Sequence, residues 1–346
     1  METYDVIVVG LGCVGISTAL YWAKKGLKVL GIEQFSHPGA IGSSSFGVTR
    51  LWRTTHEFTF RNEMMKEAIG MWKELEKESG EKLMHQFPVL TMGSVNAKFF
   101  KDIVAQLPDV KLMTSEEISE MYPALKNIPS HYKGFVNTDS GVLKARKALE
   151  TWRSLAEEKY GAKLLFNTKV SKFSKNEVQT QDGSTYTAKD VVIAWGAYSI
   201  NMTTCHEKQY KSDLEYYHFT DNTGLPKGIY EFDDKDNEFY GMVDGEDLGN
   251  YKMGLSFRRD IQEMLDYLRD RMPDKVDSIK YSHACFVTMV DSGEYQYKTD
   301  ENGVHFAYGF CGTGFKFLPL HGKIVYDGLI TKQEQKHLAP RYRAKI

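Results

Sequence analysis

Four cations and one cysteine in this chain stand among neighbours that point to chemistry. Arg50 and Arg53 follow a glycine- and serine-rich stretch, residues 37–47, that contains Gly42, Ser43 and Ser44. Without apolar periodicity such a stretch is a linker or a binding loop. The sequel Val48-Thr49-Arg50-Leu51-Trp52-Arg53 favours binding. Two arginines three apart share a helical face, and burying them is costly unless an anion meets them. Lys252 lies within a strand pattern, Tyr251-Lys252-Met253-Gly254, where an outward-facing lysine is the ordinary explanation. Lys316 sits between Phe315 and Phe317, an unusual setting for a surface lysine. Cys285 occupies an apolar run, where a buried structural thiol is the common case.

The elements that would hold these groups begin at residue 6. Val6-Ile7-Val8-Val9 is a continuous apolar run, as expected of a strand covered on both faces of a parallel sheet. It enters Gly10-Leu11-Gly12-Cys13-Val14-Gly15, after which Ser17, Ala19, Leu20, Trp22 and Ala23 continue at helical spacing up to Gly26. Residues 29–32 form the next strand, which ends at Glu33-Gln34. Here Gly10 permits the tight turn, Gly12 lets the backbone around Cys13 and Val14 approach a pyrophosphate, and Gly15 lets helix pack on strand. The helix N-terminus adds partial positive charge, and Glu33 is placed to accept from ribose hydroxyls. Together these predict dinucleotide binding. The acid suits NAD and FAD alike and does not choose between them.

Farther along, residues 62–78 predict an amphipathic helix that covers the sheet with Met64, Ala68, Ile69, Met71, Trp72 and Leu75. From 87 to about 139 the composition changes, with a turn at Met92-Gly93 and a charged helix over 115–121. A helix then runs through Leu155, a short strand ends at Lys169-Val170, and an alternating strand covers 178–180. The apolar run 191–193 leads to Ala194-Trp195-Gly196-Ala197-Tyr198, on its own an ordinary strand and turn. Between about 213 and 293, the aromatic-rich runs 215–219, 228–232, 238–243 and 251–257 predict antiparallel strands. Asp233-Asp234-Lys235-Asp236 is a solvated hairpin turn between two of them.

The 346 residues carry a net charge of -2 and a pI near 6.6, with no general attraction for nucleic acid or anionic lipid. No apolar run is long enough to span a membrane, and the first strand follows Glu2 and Asp5 rather than a basic signal segment. Cys13, Cys205, Cys285 and Cys311 make no C-x-x-C pair, which argues for a reducing compartment and against a disulfide framework or metal site. A cytoplasmic location is expected, with Ala344-Lys345-Ile346 only a loose echo of the peroxisomal tripeptide. Nothing resembles a coiled coil, so a monomer is expected.

Several segments in order resemble the monomeric sarcosine oxidase family of D-amino-acid oxidase-like flavoenzymes. They are the opening glycine motif, the 47–53 segment, Ser140-Gly141-Val142-Leu143, Lys252-Met253-Gly254, Ala284-Cys285 and Gly309-Phe310-Cys311-Gly312-Thr313-Gly314-Phe315-Lys316-Phe317. The resemblance spans nearly the whole chain. It implies an α/β fold in which an FAD-binding Rossmann-like domain (1–84, 138–210 and 294–346) is interleaved with a smaller α+β substrate domain (85–137 and 211–293) built on an antiparallel sheet. It makes FAD the cofactor, joined as a thioether to Cys285. Gly196 and Ala197 would lie in a second nucleotide-contacting segment, and the backbone of Val170 would meet adenine. Gly42, Ser43, Ser44, Thr49, Gly312, Gly314, Phe315 and Lys316 would complete the cofactor site, with Arg50 against the flavin.

The same resemblance assigns roles to the cations. Arg53 and Lys316 would hold a substrate carboxylate, Tyr240 would contribute to the substrate wall, and Lys252 would promote reduction of dioxygen. The implied activity is oxidation of the C–N bond of an N-methyl, cyclic or sugar-modified amino acid, giving an imine and hydrogen peroxide. Two alternatives stay open: a dehydrogenase of the same fold that serves an electron carrier, and a flavin-binding module without turnover. Relatives that take sarcosine carry polar residues where Phe46, Ser256 and Val287 stand, so a different substrate is expected. The shortened substrate segment and tail suggest a more open site.

Overall fold

Val6, Ile7, Val8 and Val9 are buried because their strand runs through the middle of a largely parallel sheet. The structure, a computed structural model, describes residues 2–199, 209–256 and 261–328. Cys205, Phe257, the C-terminal tripeptide and the side chain of Ser256 lie outside the described residues.

The opening unit is β1 (Thr3–Val9), α1 (Cys13–Lys24) and β2 (Val29–Ile32). β3 (Thr49–Arg53), α2 (Thr59–Ser79) and β4 (Met84–Gln86) follow. Then come β5 (Val89–Ser94), α3 (Lys98–Val104), β6 (Met113–Thr114), α4 (Ser115–Met121) and β7 (Tyr132–Asn137). β8 (Ser140–Lys144) and α5 (Ala145–Ser154) lead to β9 (Lys163–Leu165), β10 (Val170–Phe173), β11 (Glu177–Thr180) and β12 (Thr185–Ile193). Four strands succeed one another as β13 (Gln209–Phe219), β14 (Gly228–Phe232), β15 (Glu238–Asp244) and β16 (Asn250–Ser256). The last elements are α6 (Ile261–Arg271), β17 (Ile279–Val290), β18 (Gln296–Thr299), β19 (His305–Tyr308) and α7 (Leu318–Tyr326).

In the first sheet β1 lies between β2 and β12, both parallel to it; β9 extends one side, and β19 pairs parallel to β12 on the other. The second sheet has the order β17-β13-β16-β15-β14-β5-β7-β6, antiparallel throughout except for β14 beside β5. β3, β8 and β4 form a third, small sheet. The predicted α2 face holds, with Met64, Ala68, Trp72 and Leu75 buried and Trp72 edge-on to Trp152 at 5.1 Å. Burying a large apolar side chain contributes about 1.5–3 kcal/mol, so this helix is fixed mainly by packing.

Three local expectations are corrected. Arg50 and Arg53 lie on β3, not on a helix, so the spacing of three gives them no shared helical face. Met92-Gly93 is strand rather than turn: a Cβ on Gly93 would stand 2.7 Å from the Phe232 carbonyl oxygen of β14. The glycine there serves close strand approach. Val170 opens a strand instead of closing one, and Cys285 sits inside a strand of 12 residues, not a short one.

Candidate active site

The turn after β1 is shaped by its glycines. Gly10 has φ +88°, and a Cβ there would meet the Ala194 carbonyl oxygen at 2.7 Å; a Cβ on Gly15 would fall 1.7 Å from the Gly10 carbonyl oxygen. α1 can therefore start directly at the end of β1, with Gly12, Cys13 and Val14 facing a cavity of about 350 Å³. Cys13 N–H donates to Ser45 Oγ (2.9 Å), tying the serine-rich loop to the helix start. No acidic side chain lies in the first turn of α1, so nothing neutralises the partial positive charge there.

Most residues expected at the cofactor line this cavity. Glu33, Gln34 and Val170 are among them; Ser43 and Ser44 come from the loop; Gly196 and Ala197 follow β12. Cys285, Gly312, Gly314, Phe315 and Arg50 line it as well. Glu33 accepts from Leu11 N–H (2.7 Å) and Phe35 N–H (3.0 Å), and burial raises its pKa against those bonds. Four expected residues are placed elsewhere. Gly15 packs on Gly10, the Gly42 carbonyl accepts from Tyr198 Oη (3.1 Å), Thr49 Oγ1 donates to Asp244, and Lys316 lines the smaller cavity described next. Ser45, Trp195 and Phe310 also line the cavity, within segments flagged in the sequence though not named there for a role, and Thr168 lines it without any such signal.

A second, smaller cavity of about 50 Å³ adjoins the first, and Arg50, Tyr216, Cys311 and Gly312 face both. Here the chain brings together Arg53, Lys252, Lys316 and Tyr240, which come from β3, β16, the segment after β19, and β15. Tyr230 and Met242 complete much of the remaining wall. Arg53 is 2 % exposed, and its guanidinium carbon lies 4.0 Å from the Tyr230 ring centroid. Its Nη2 has no hydrogen-bond partner among the described residues and stands 3.6 Å from Glu57 Oε2. Glu57 also meets Arg61, so one carboxylate is shared between two guanidinium groups with Lys316 nearby. Burial, then Arg53 and Arg61, push Lys316 down to about 7. Glu57 was missed in the sequence, although its place four residues after Arg53 was a usable signal.

Lys252 is 1 % exposed, so the outward-facing explanation does not apply. Its Nζ donates to the Thr49 carbonyl (2.6 Å) and lies 3.7 Å from Asp244 Oδ1. Burial lowers its pKa to about 8, with Asp244 opposing the shift and Arg50 adding to it. Asp244, itself buried, is held well below the usual carboxylate range by Lys252, by the His218 and Thr49 hydrogen bonds, all overcoming the effect of burial. Arg50 donates to the carbonyls of Thr49, Ser44 and Phe46, bracing the serine-rich loop against β3.

These residues fit FAD. The large cavity is lined by a glycine turn and helix N-terminus and also by a buried thiol and a guanidinium. On the same wall Thr288 Oγ1, buried, has no hydrogen-bond partner among the described residues.

The model of the FAD dependent oxidoreductase family matches residues 5–327. The chain is 27% identical to the monomeric sarcosine oxidase of Arthrobacter sp. (strain TE1826) over 98% of this chain and 95% of that relative. It is 26% identical to the N-methyl-L-tryptophan oxidase of Salmonella dublin over 97% of each. The solved structure of NikD, an unusual amino acid oxidase essential for nikkomycin biosynthesis, superposes with a TM-score of 0.83 at 22% identity, covering 96% of this chain and 95% of that one. Glycine turn, paired cavities and a match along nearly all of its length make this chain a member of the FAD dependent oxidoreductase family.

Proposed function

We propose that this protein oxidises the C–N bond of an N-substituted amino acid, passes the electrons to dioxygen and releases an imine and hydrogen peroxide. The observation that carries this is the small cavity, in which two buried cations, Arg53 and Lys316, share space with three tyrosines beside the cofactor cavity. Two desolvated cations facing one cavity call for an anion, and a planar guanidinium suits a carboxylate. Tyr216, Tyr230 and Tyr240 supply apolar walls that exclude water from the reacting carbon. When bound, FAD supplies the acceptor for the hydride equivalents, with the thiol of Cys285 as its covalent attachment. Lys252 holds positive charge beside the cofactor cavity, where charge develops on reduced oxygen. Arg50 plays the corresponding role for the reduced ring.

The proposed domain division is supported by sheet membership. β1, β2, β9–β12, β18 and β19 come from its FAD-binding segments, and β5–β7 and β14–β17 from its substrate segments.

The test is to offer N-methyl, cyclic and glycated amino acids to the purified yellow protein. Flavin bleaching under nitrogen, followed by peroxide in air, supports the proposal. Bleaching with fast dye reduction but no peroxide would make the protein a dehydrogenase, and no bleaching with any amine would leave it a binding module. No helix among the described residues is long and apolar enough to cross a membrane.

A further inference from the structure

Lys252 is the end of a file of polar groups that leads out of the protein. Register explains the file. His218 of β13 is paired with Lys252 of β16 on one side and with Tyr281 of β17 on the other; Tyr216 is paired with His283. Side chains alternate along a strand, so Tyr216, His218, Lys252, Tyr281, His283 and Cys285 all project from one face of the second sheet. Asp244 of β15 completes the row.

The hydrogen bonds have a defined direction. A carboxylate only accepts, so His218 Nδ1 donates to Asp244 Oδ2 (2.9 Å). In a neutral ring His218 Nε2 is then an acceptor, and it receives His283 Nδ1–H (2.9 Å). That leaves His283 Nε2 as an acceptor on a half-exposed residue, while His218 and Asp244 are buried. Tyr216 stacks on His283, Phe46 meets it edge-on, and Tyr281 stacks on His218, holding both rings in place. Arg50, Lys252 and Asp244 are the charged groups facing the pair, and burial with His218, Lys252 and Arg50 lowers His283 to about 4.

We propose that Asp244, His218 and His283 form a proton path that connects Lys252 to solvent and reloads it during turnover. The proposal rests on the assignment of Lys252 as the cation that serves dioxygen. Dioxygen becomes hydrogen peroxide by gaining two electrons and two protons. Both electrons and one proton come from the reduced cofactor. The second proton comes from Lys252, as an N–H bond breaks and a peroxide O–H bond forms. The Lys252 amine then leaves the Thr49 carbonyl and closes the 3.7 Å gap to the Asp244 carboxylate. Asp244 accepts the Nδ1 proton of His218 and hands it to Lys252, ending again as a carboxylate; His218 Nε2 takes the proton of His283 Nδ1, and His283 Nε2 takes one from water, which leaves hydroxide in the solvent. Each ring receives one proton and gives one, so both remain neutral and end as the opposite tautomer, which ring rotation resets. Asp244 and the histidines are positioning and relay groups rather than catalytic residues.

The experiment uses the flavin-loaded protein, reduced with dithionite at pH 9, where Lys252 is mostly the free amine and must be loaded before it can give a proton, and mixed with dioxygen in light and heavy water. His283→Ala and His218→Gln are expected to slow reoxidation about 10²-fold and enlarge the solvent isotope effect. Added imidazole should restore His283→Ala, which a packing role would not allow. Histidine ¹⁵N spectra of the oxidised protein should show both rings protonated at Nδ1, with the His218 resonance displaced in Asp244→Asn. If Lys252→Met is slow while both histidine variants reoxidise normally, the path is overturned and the role of Lys252 stands. If Lys252→Met reoxidises normally, the lysine assignment fails and the path fails with it.

Discussion

Arg53 holds its guanidinium carbon over Tyr230, 4.0 Å from the ring centroid, and the Tyr230 hydroxyl is in turn bonded to Glu238. The ring contact positions the guanidinium without consuming all of its N–H donors, and Nη2 has no hydrogen-bond partner among the described residues. Arg53→Met is therefore expected to raise KM for a carboxylate substrate far more than it lowers kcat. Losing a charge-assisted hydrogen bond of about 1.5–3 kcal/mol corresponds to roughly 10- to 10²-fold. Steady-state kinetics over a range of substrate concentrations reads this directly.

Lys316 gives the same site a pH dependence. Its charged form binds the anion, and its pKa in the free protein is about 7. Carboxylate affinity should fall as pH rises through that value, because the free ammonium is lost there. Binding of a simple carboxylic acid, followed by the flavin spectrum from pH 6 to 9, should show the decline in the native protein and a flattened one in Lys316→Met.

Lys252 should control only the reaction with dioxygen. Lys252→Met is expected to leave flavin reduction by substrate within a few-fold and to slow reoxidation about 10²–10³-fold, the usual cost of removing one electrostatic stabiliser. In the native protein reoxidation should slow as pH rises through about 8, where the ammonium is lost, and the variant should lack that step. Stopped-flow absorbance separates the two half-reactions.

Acid precipitation of the native protein should leave the yellow colour in the pellet, and Cys285→Ala should release it to the supernatant. Cys311 supplies the control. It also lines the cofactor cavity, so colour retained by Cys285→Ala and lost in Cys311→Ala would move the attachment point.

Gly15→Ala tests the nucleotide turn. Its methyl group would fall 1.7 Å from the Gly10 carbonyl oxygen, so α1 must shift away from β1. Overpacking of this kind costs about 1–3 kcal/mol, and the helix N-terminus moves with it. Thermal unfolding should show a lower Tm and the purified protein a reduced flavin content.

The parts that were legible in the sequence are those written in local patterns. The opening apolar run, the glycine spacing and Glu33 fall on neighbouring residues, and the structure keeps their order. Arg50 and Arg53 show where local reasoning fails. A spacing of three fits a helix, but Val48, Thr49 and Trp52 favour extended chain, and pairing with β8 decides the matter. Met92-Gly93 looked like a turn because the reason for its glycine is a carbonyl 139 residues away, on Phe232. Asp244 and His218 carried no sequence signal, and His283 stood beside the Ala284-Cys285 segment with nothing to suggest its own role. They meet because β13, β15, β16 and β17 adopt one register, and register is set by the whole sheet.

The first sheet joins residues from opposite regions of the chain. β1 pairs with β12, β12 with β19, and Ser17 Oγ of α1 accepts from the Gly322 N–H of α7. A ribosome adding about 5–20 residues per second needs roughly 15–60 s to travel from the first of these strands to the last. Throughout that interval the cofactor cavity lacks part of its wall, since Phe310, Gly312 and Phe315 are among the last of its residues to emerge. Cofactor capture thus waits for the last strand of the sheet, and flavin scarcity would be felt by chains already grown past it.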